Sequence, residues 1–161
     1  MNQTGMALHD EHRANLGLLG RIETALARAP RGAAAQGVAL LDLLRALQQQ
    51  LRQDVERHFA FEERELFARL EEAGDGAIAG LLRDEHDAIR DLADELAPLL
   101  RRALDRALDD AGWDGLRAAA MELVERQVSH IQKEEMALLP MLDDLLDDET
   151  DRRIAMDYAS Q

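Results

Sequence analysis

The sequence predicts an all-helical fold, an up-down-up-down four-helix bundle. Three observations predict it. The chain of 161 residues is rich in Leu, Ala, Arg, Glu and Asp, with only three prolines and ten glycines, a composition dominated by helix formers. Apolar residues recur every three or four positions over long stretches. Those stretches are punctuated at a few places only: Pro30-Arg31-Gly32, Gly74-Asp75-Gly76, and Gly112 followed by Trp113 and Asp114. Helices joined by short connections pack as antiparallel neighbours. With 47% apolar residues, the chain suffices for one domain, read as residues 1–161, and is too short for two ordinary ones.

Helix A is expected at about 6–29, where Leu8, His12, Leu16, Leu19, Ile22 and Leu26 share one face. Helix B is expected at about 36–73, with a stripe of Leu40, Leu44, Leu47, Leu51, Val55, His58, Glu62, Leu66 and Leu70. Polar residues interrupt the middle of that stripe. Helix C is expected at about 78–110 and helix D at about 114–146. Pro98 in C and Pro140 in D each remove a backbone donor, so each should kink its helix. Thr150 through Tyr158 is compatible with a short fifth helix capped by Thr150.

Charge and cysteine count exclude several functions. Nineteen Lys and Arg against thirty-three Asp and Glu give a net charge of −14. So acidic a chain repels phosphate backbones and anionic membrane surfaces, which argues against both as partners. With no cysteine, disulfides, thiolate zinc sites, iron–sulfur clusters and thiol catalysis are ruled out. No apolar run approaches the roughly 20 residues of a membrane span. The N-terminus lacks the basic and apolar regions of a signal peptide, so the expected location is cytoplasmic.

The most informative feature is an internal repeat. Asp10-Glu11-His12-Arg13-Ala14 matches Asp84-Glu85-His86-Asp87-Ala88, and an aliphatic residue follows each histidine ten positions on, Ile22 and Leu96. His58 through Glu63 matches His130 through Glu135 as HxxxEE, and each copy continues with leucine eight and twelve positions after the histidine. The lone and paired histidines are 46 residues apart in one half and 44 in the other. The chain is therefore two helical hairpins, each written H…HxxxE, and the preserved residues call for a chemical explanation.

Residues at i and i+4 lie about 40° apart on a helix, so His58 points with Glu62 and His130 with Glu134. Counting along each hairpin brings the lone histidines to within about 10 Å of the paired ones at 1.5 Å per residue. Six side chains can thus meet in one layer: His12, His58, Glu62, His86, His130 and Glu134. Packed without compensation, such a layer costs several kcal/mol per group. A pair of metal ions resolves this. If both glutamates bridge, each ion receives two imidazoles and two carboxylate oxygens. Two octahedral positions then stay open, one suited to a bridging oxide or hydroxide and one to a small ligand. This nitrogen and oxygen set fits two iron ions better than closed tetrahedral zinc, with manganese and zinc as lesser alternatives.

The ordered set H…HxxxE…H…HxxxE resembles the hemerythrin-like, or HHE cation-binding, family over helices A to D. The resemblance implies iron ligands His12, His58, Glu62, His86, His130 and Glu134, with Glu62 and Glu134 as bridges. Oxygen-carrying hemerythrins add a histidine four residues after the one in the third helix, where this chain has Arg90. They end in His-x4-Asp, whereas here Glu134 and Glu135 are the choices, and Glu134 repeats the spacing of the first half. The set is more similar to the branch of iron-centre repair proteins, iron or oxygen sensors and peroxide-active proteins. The repair proteins add an N-terminal cysteine-containing domain, which is not expected of this cysteine-free sequence. The implied functions are binding of dioxygen or a related small ligand for sensing or storage, an enzyme acting on peroxide or nitric oxide, or iron handling. A metal-free interaction module is the structural alternative.

The remaining residues carry blander expectations. Glu63 and Glu135, rotated about 100° further, belong at the stripe's edge as solvated groups or as partners of the ligands. Glu11 and Glu85 are expected to be solvated, with a hydrogen bond to a ligating imidazole as the alternative. His9 is read as a surface residue or such a partner. Arg90 is read as a surface cation or as lining the entrance. Phe59, Phe61 and Phe67 are read as core that could also shape a dry pocket. Trp113 is read as the anchor of a helix start, and Tyr158 could fold back over the bundle.

Overall fold

A computed structural model describes residues 1–29 and 37–161. The first predicted breaker, Pro30-Arg31-Gly32, lies outside the described residues. Five helical rods account for most of the rest, and among the described residues there is no strand. They are α1 (Gln3–Arg28), α2 (38–72), α3 (Gly76–Leu104), α4 (110–145) and α5 (Asp148–Ala159). α1 packs against α2 and α4, α2 against α3, and α3 against α4, while α5 lies on α1.

The ends of the rods follow local chemistry. α1 starts at Asn2, whose side chain accepts the Gly5 N–H at 2.8 Å, satisfying one of the first turn's free donors. α2 ends at Gly74, in the left-handed region at φ 96°. There the Asp75 N–H donates to the Leu70 carbonyl at 2.8 Å and the Gly74 N–H to Glu71 at 3.1 Å, the pattern of a Schellman cap.

Three expectations are corrected. α3 stops at Leu104 rather than near 110, and α4 begins at Asp110 rather than near 114. The turn between them closes with the same pair of hydrogen bonds, Ala107 to Arg102 and Arg106 to Ala103. Arg106, not glycine, takes the left-handed position, at φ 54°. Gly112 is inside the first turn of α4, where a Cβ would sit 2.8 Å from Leu108 Cδ2, so its role is close packing. Asp109 caps this helix by accepting the Gly112 N–H at 2.7 Å. The third correction is at α5. Its cap is Asp147, which accepts the Thr150 N–H at 2.8 Å; Thr150 is inside the helix. Of the two prolines, Pro98 lies inside α3, which continues to Leu104, and Pro140 sits in a 3-10 turn, Leu139–Met141.

The core is two apolar clusters with a polar layer between them. One cluster holds Leu19, Ile22 and Leu26 of α1, Leu44 and Leu47 of α2, Leu96 and Leu100 of α3, and Trp113 and Leu116 of α4. The other holds Leu8, Phe61, Leu66, Phe67, Leu70, Leu82, Leu138, Leu142, Ile154 and Tyr158. Most of the buried polar residues fall between them, including His12 on α1, Asp54, His58 and Glu62 on α2, His86 on α3, and His130 and Glu134 on α4. Each fully buried leucine in the flanking clusters contributes about 1.5–3 kcal/mol. The clusters therefore fix a layer that could not hold itself together.

Candidate metal centre

The six residues predicted from the repeat all lie in this layer, each at most 3% exposed. Their Nε2 atoms converge on the two carboxylates. Glu62 presents Oε1 to His58 at 2.8 Å and Oε2 to His86 at 3.2 Å. Glu134 presents Oε2 to His12 at 3.1 Å and Oε1 to His130 at 2.9 Å, with His86 3.6 Å from the same Oε1. Two groups of donors result, His12, His58, Glu62 and Glu134, and Glu62, His86, His130 and Glu134, each within a span of 4.8 Å. Both carboxylates belong to both groups.

The outer nitrogens are as ordered as the inner ones. His12 Nδ1 donates to Glu135 at 2.6 Å, His86 Nδ1 to Glu63 at 2.9 Å, and His130 Nδ1 to Glu85 at 3.0 Å. His58 Nδ1 donates to the Tyr158 hydroxyl at 2.8 Å, with a Glu11 oxygen at 3.3 Å, and the Tyr158 hydroxyl donates to Glu11. A carboxylate only accepts, so Nδ1 keeps its proton, and Nε2 is the nitrogen that can engage a cation once any proton on it leaves. Glu11 and Glu85 are therefore half-buried partners of imidazoles, the alternative reading, rather than simply solvated. Each reaches the paired histidine of its own half. Glu63 and Glu135 reach across to the lone histidine of the opposite half. His9 shares Glu135 with His12, at 2.9 Å. Arg90 donates to Glu63 at 2.8 Å and lies over the Phe59 ring. Phe59 stacks on His86 with centroids 3.7 Å apart, so it is core and site wall at once.

Burial by itself drives imidazoles towards the neutral form, but here the carboxylates win. Glu134 and Glu62 push His86 up to about 9 despite its burial. His58 is held well above its ordinary value, against burial, chiefly by Glu62 and Glu11. Burial would raise Glu134, yet the imidazoles, His130 foremost, hold it well below the usual carboxylate range. A histidine whose folded pKa is raised adds stability that is complete below its unfolded value of 6.5 and is lost as pH rises through the folded one. The metal-free protein should therefore lose stability to urea between about pH 6 and about pH 10. Equal midpoints at both ends would contradict the ion-paired layer.

The helices bend their own geometry to build this layer. Asp54–His58, Glu62–Phe67 and Glu134–Leu138 are π-helical, a rare state that concentrates at functional sites. The sequence does carry a trace of it. His58, Glu62, Leu66 and Leu70 are buried at unbroken steps of four, as are His130, Glu134, Leu138 and Leu142. A regular helix would rotate such a series by about 40° per step, or about 120° in all. Inserting residues as π-turns returns it to one face.

Beside the centre is a polar group that sequence reasoning missed. Asp54 accepts from Asn15 Nδ2 at 3.1 Å and from the Gln50 amide, and Gln50 also donates to Gln127 at 2.8 Å. Burial pushes the Asp54 carboxyl up to about 6. A cavity of about 10 Å³ opens here, lined among others by Asp54, Gln127, His12, His58, His130 and Glu134. That is about the volume that holds one water.

The donors fit a cation. His12, His86 and His130 Nε2, Glu62 Oε2 and Glu134 Oε1 are buried and make no well-aligned hydrogen bond, meeting only in the imidazole–carboxylate contacts above, an arrangement that a cation between them would satisfy. A helical bundle whose buried layer holds two four-donor groups sharing both carboxylates has the make-up of a carboxylate-rich metal-binding protein. The hemerythrin HHE cation-binding domain model matches residues 6–142. The chain belongs to that family. Comparison with curated proteins gives no match. No helix among the described residues is long and apolar enough to cross a membrane.

Proposed function

We propose that this protein is a non-haem di-iron protein that binds dioxygen or a related small ligand, for sensing or storage. In this reading the four long rods form an up-down-up-down bundle. One ion would be held by His12 and His58 and the other by His86 and His130, with Glu62 and Glu134 offering one oxygen to each. The observation that carries it is the splitting of each carboxylate, one oxygen towards each pair of imidazoles. All donors are nitrogen or oxygen, and four per ion leave octahedral positions open, which favours iron over closed tetrahedral zinc. Iron bound there would supply redox electrons and a place for a small ligand.

The chain's own residues do the rest. Glu11, Glu63, Glu85 and Glu135 hold the imidazoles in the ligating tautomer. The apolar layers exclude bulk water and anything large, and the one-water cavity admits only the smallest ligands. The polar side of that cavity favours a second reading, an enzyme acting on peroxide. Asp54 and Gln127 offer hydrogen bonds that hydrogen peroxide can use and dioxygen cannot donate to.

Protein produced with ample iron is expected to contain about two iron ions per chain, by elemental analysis. Oxygen added to the reduced protein should give a reversible visible adduct; turnover of peroxide with oxygen release would favour the enzyme. One ion per chain, or none after reconstitution, would overturn the dinuclear centre.

A further inference from the structure

Three of the four imidazoles are held by glutamates on the four long rods: Glu135 on α4, Glu63 on α2 and Glu85 on α3. His58 is the exception. Its nearer partner is the phenol of Tyr158 on α5, at 2.8 Å, and its own rod-borne glutamate, Glu11, stands off at 3.3 Å. The second half of the repeat has no such tyrosine; Glu85 there pairs with Lys133 instead. α5 also lies beyond the residues matched by the family model, 6–142, so the repeat and the family pattern both leave Tyr158 unexplained.

α5 is docked by contacts that lead to the same place. Asp151, Ile154 and Tyr158 form its buried face. Asp151 accepts the N–H groups of Gln3 and Thr4, both at 2.9 Å, so it satisfies free donors at the start of the rod that carries Glu11 and His12. Ile154 is in the apolar cluster below the polar layer. The Tyr158 ring packs on Phe61, with centroids 4.5 Å apart, and lies under the Arg57 guanidinium. Arg57 also donates to the Gln161 carbonyl at 3.3 Å.

We propose that Tyr158 is a positioning residue for His58, and that it couples the docking of α5 to occupancy of the metal position faced by His12 and His58. The proposal rests on the dinuclear reading given above. His58 Nδ1–H donates to the phenol oxygen and the phenol O–H to Glu11, so the whole chain is satisfied only while α5 is seated. When α5 lifts, Nδ1 of His58 keeps only the longer approach to Glu11, and that side of the ring loses its close partner. The other three imidazoles keep their partners. The two metal positions are therefore unequal: one is built by the long rods alone, the other needs α5. Coupling is reciprocal, so filling the second kind of position tightens α5 in return.

The test compares wild type with Tyr158→Phe, which keeps the ring on Phe61 and removes only the hydroxyl. Iron(II) is titrated anaerobically against a competing chelator, and hydrogen exchange of residues 148–159 is followed with and without iron. Loss of a group that orients a ligating imidazole costs about 10- to 100-fold in affinity. The expected result is that drop for one ion of two, a change in one of two iron Mössbauer signals, and loss of the iron-induced protection of α5. Arg57→Ala, which loosens α5 but leaves the hydroxyl, should shift affinity less and leave the second signal untouched. Wild-type affinity and spectrum in Tyr158→Phe would overturn the coupling, as would equal weakening of both ions. A wild type that takes fewer than two ions overturns the dinuclear reading and this proposal together.

Discussion

Glu134→Ala is expected to empty both metal positions at once. The side chain gives one oxygen to the His12 side and the other to the His130 side, so both proposed ions lose a ligand. His12→Ala removes a donor from one only. The loss for Glu134→Ala should be at least about 100-fold in affinity for each ion, beyond the 10- to 100-fold of a ligand's hydrogen-bond partner. The metal-free protein should suffer too. Three imidazoles, His12, His86 and His130, are pushed above their ordinary value partly by this carboxylate. Breaking a buried ion pair by removing one member costs about 3–5 kcal/mol. Iron content and urea unfolding check both statements. Glu134→Ala protein that holds two ions with wild-type stability would show that Glu134 is no bridge.

Asp54→Asn is expected to act in the opposite direction, stabilising the metal-free protein. An unfolded Asp ionises near 3.8, and this one ionises at about 6 in the fold, because burial disfavours its charge more than His58 and Asn15 favour it. The folded state therefore prefers the protonated form. Wild-type stability from this group is highest below the unfolded value and falls as pH rises from about 4 to about 6, then stays low. At 1.36 kcal/mol per pKa unit the deficit above that window is about 3 kcal/mol. Asparagine has the same shape and no charge to desolvate, and the flanking Asn15 and Gln50 amides can turn to match it. The variant should unfold at higher urea than wild type at about pH 8, with the gap closing at about pH 4. A variant less stable at both pH values would mean that the hydrogen bonds to Asp54 outweigh its burial.

The repeat made much of the centre legible. Four histidines and two glutamates at matched spacing come together because the hairpins match in length, and spacing is something a sequence states directly. Composition and periodicity likewise give the long rods. What stayed hidden depends on events that leave no fixed spacing. The turn after α3 uses Arg106 where glycine is usual, which moved the apparent break to Gly112. Glu11 and Glu85 look solvated on a helical wheel, and only the approach of neighbouring rods turns them onto His58 and His130. Asp54, Gln50 and Gln127 have no counterpart in a known motif. They are three polar residues on two helices, and nothing in the chain announces that they share a hydrogen-bond network. Tyr158 is 100 residues from His58, joined to it by the docking of a helix whose cap, Asp147, was itself misplaced at Thr150.

The crosswise reach of Glu63 and Glu135 has a mechanical consequence. Each hairpin carries both imidazoles of one group but only half of the oxygens, and each sends a glutamate over to orient the other's lone histidine. Sliding one hairpin along the other by even a single residue's rise, about 1.5 Å, would misalign all of these contacts together. The two halves are keyed like the bits of a lock. A centre that changed its internal dimensions would express that change as relative displacement of the hairpins, a motion that could be read at the far ends of rods about 40–55 Å long at about 1.5 Å per residue.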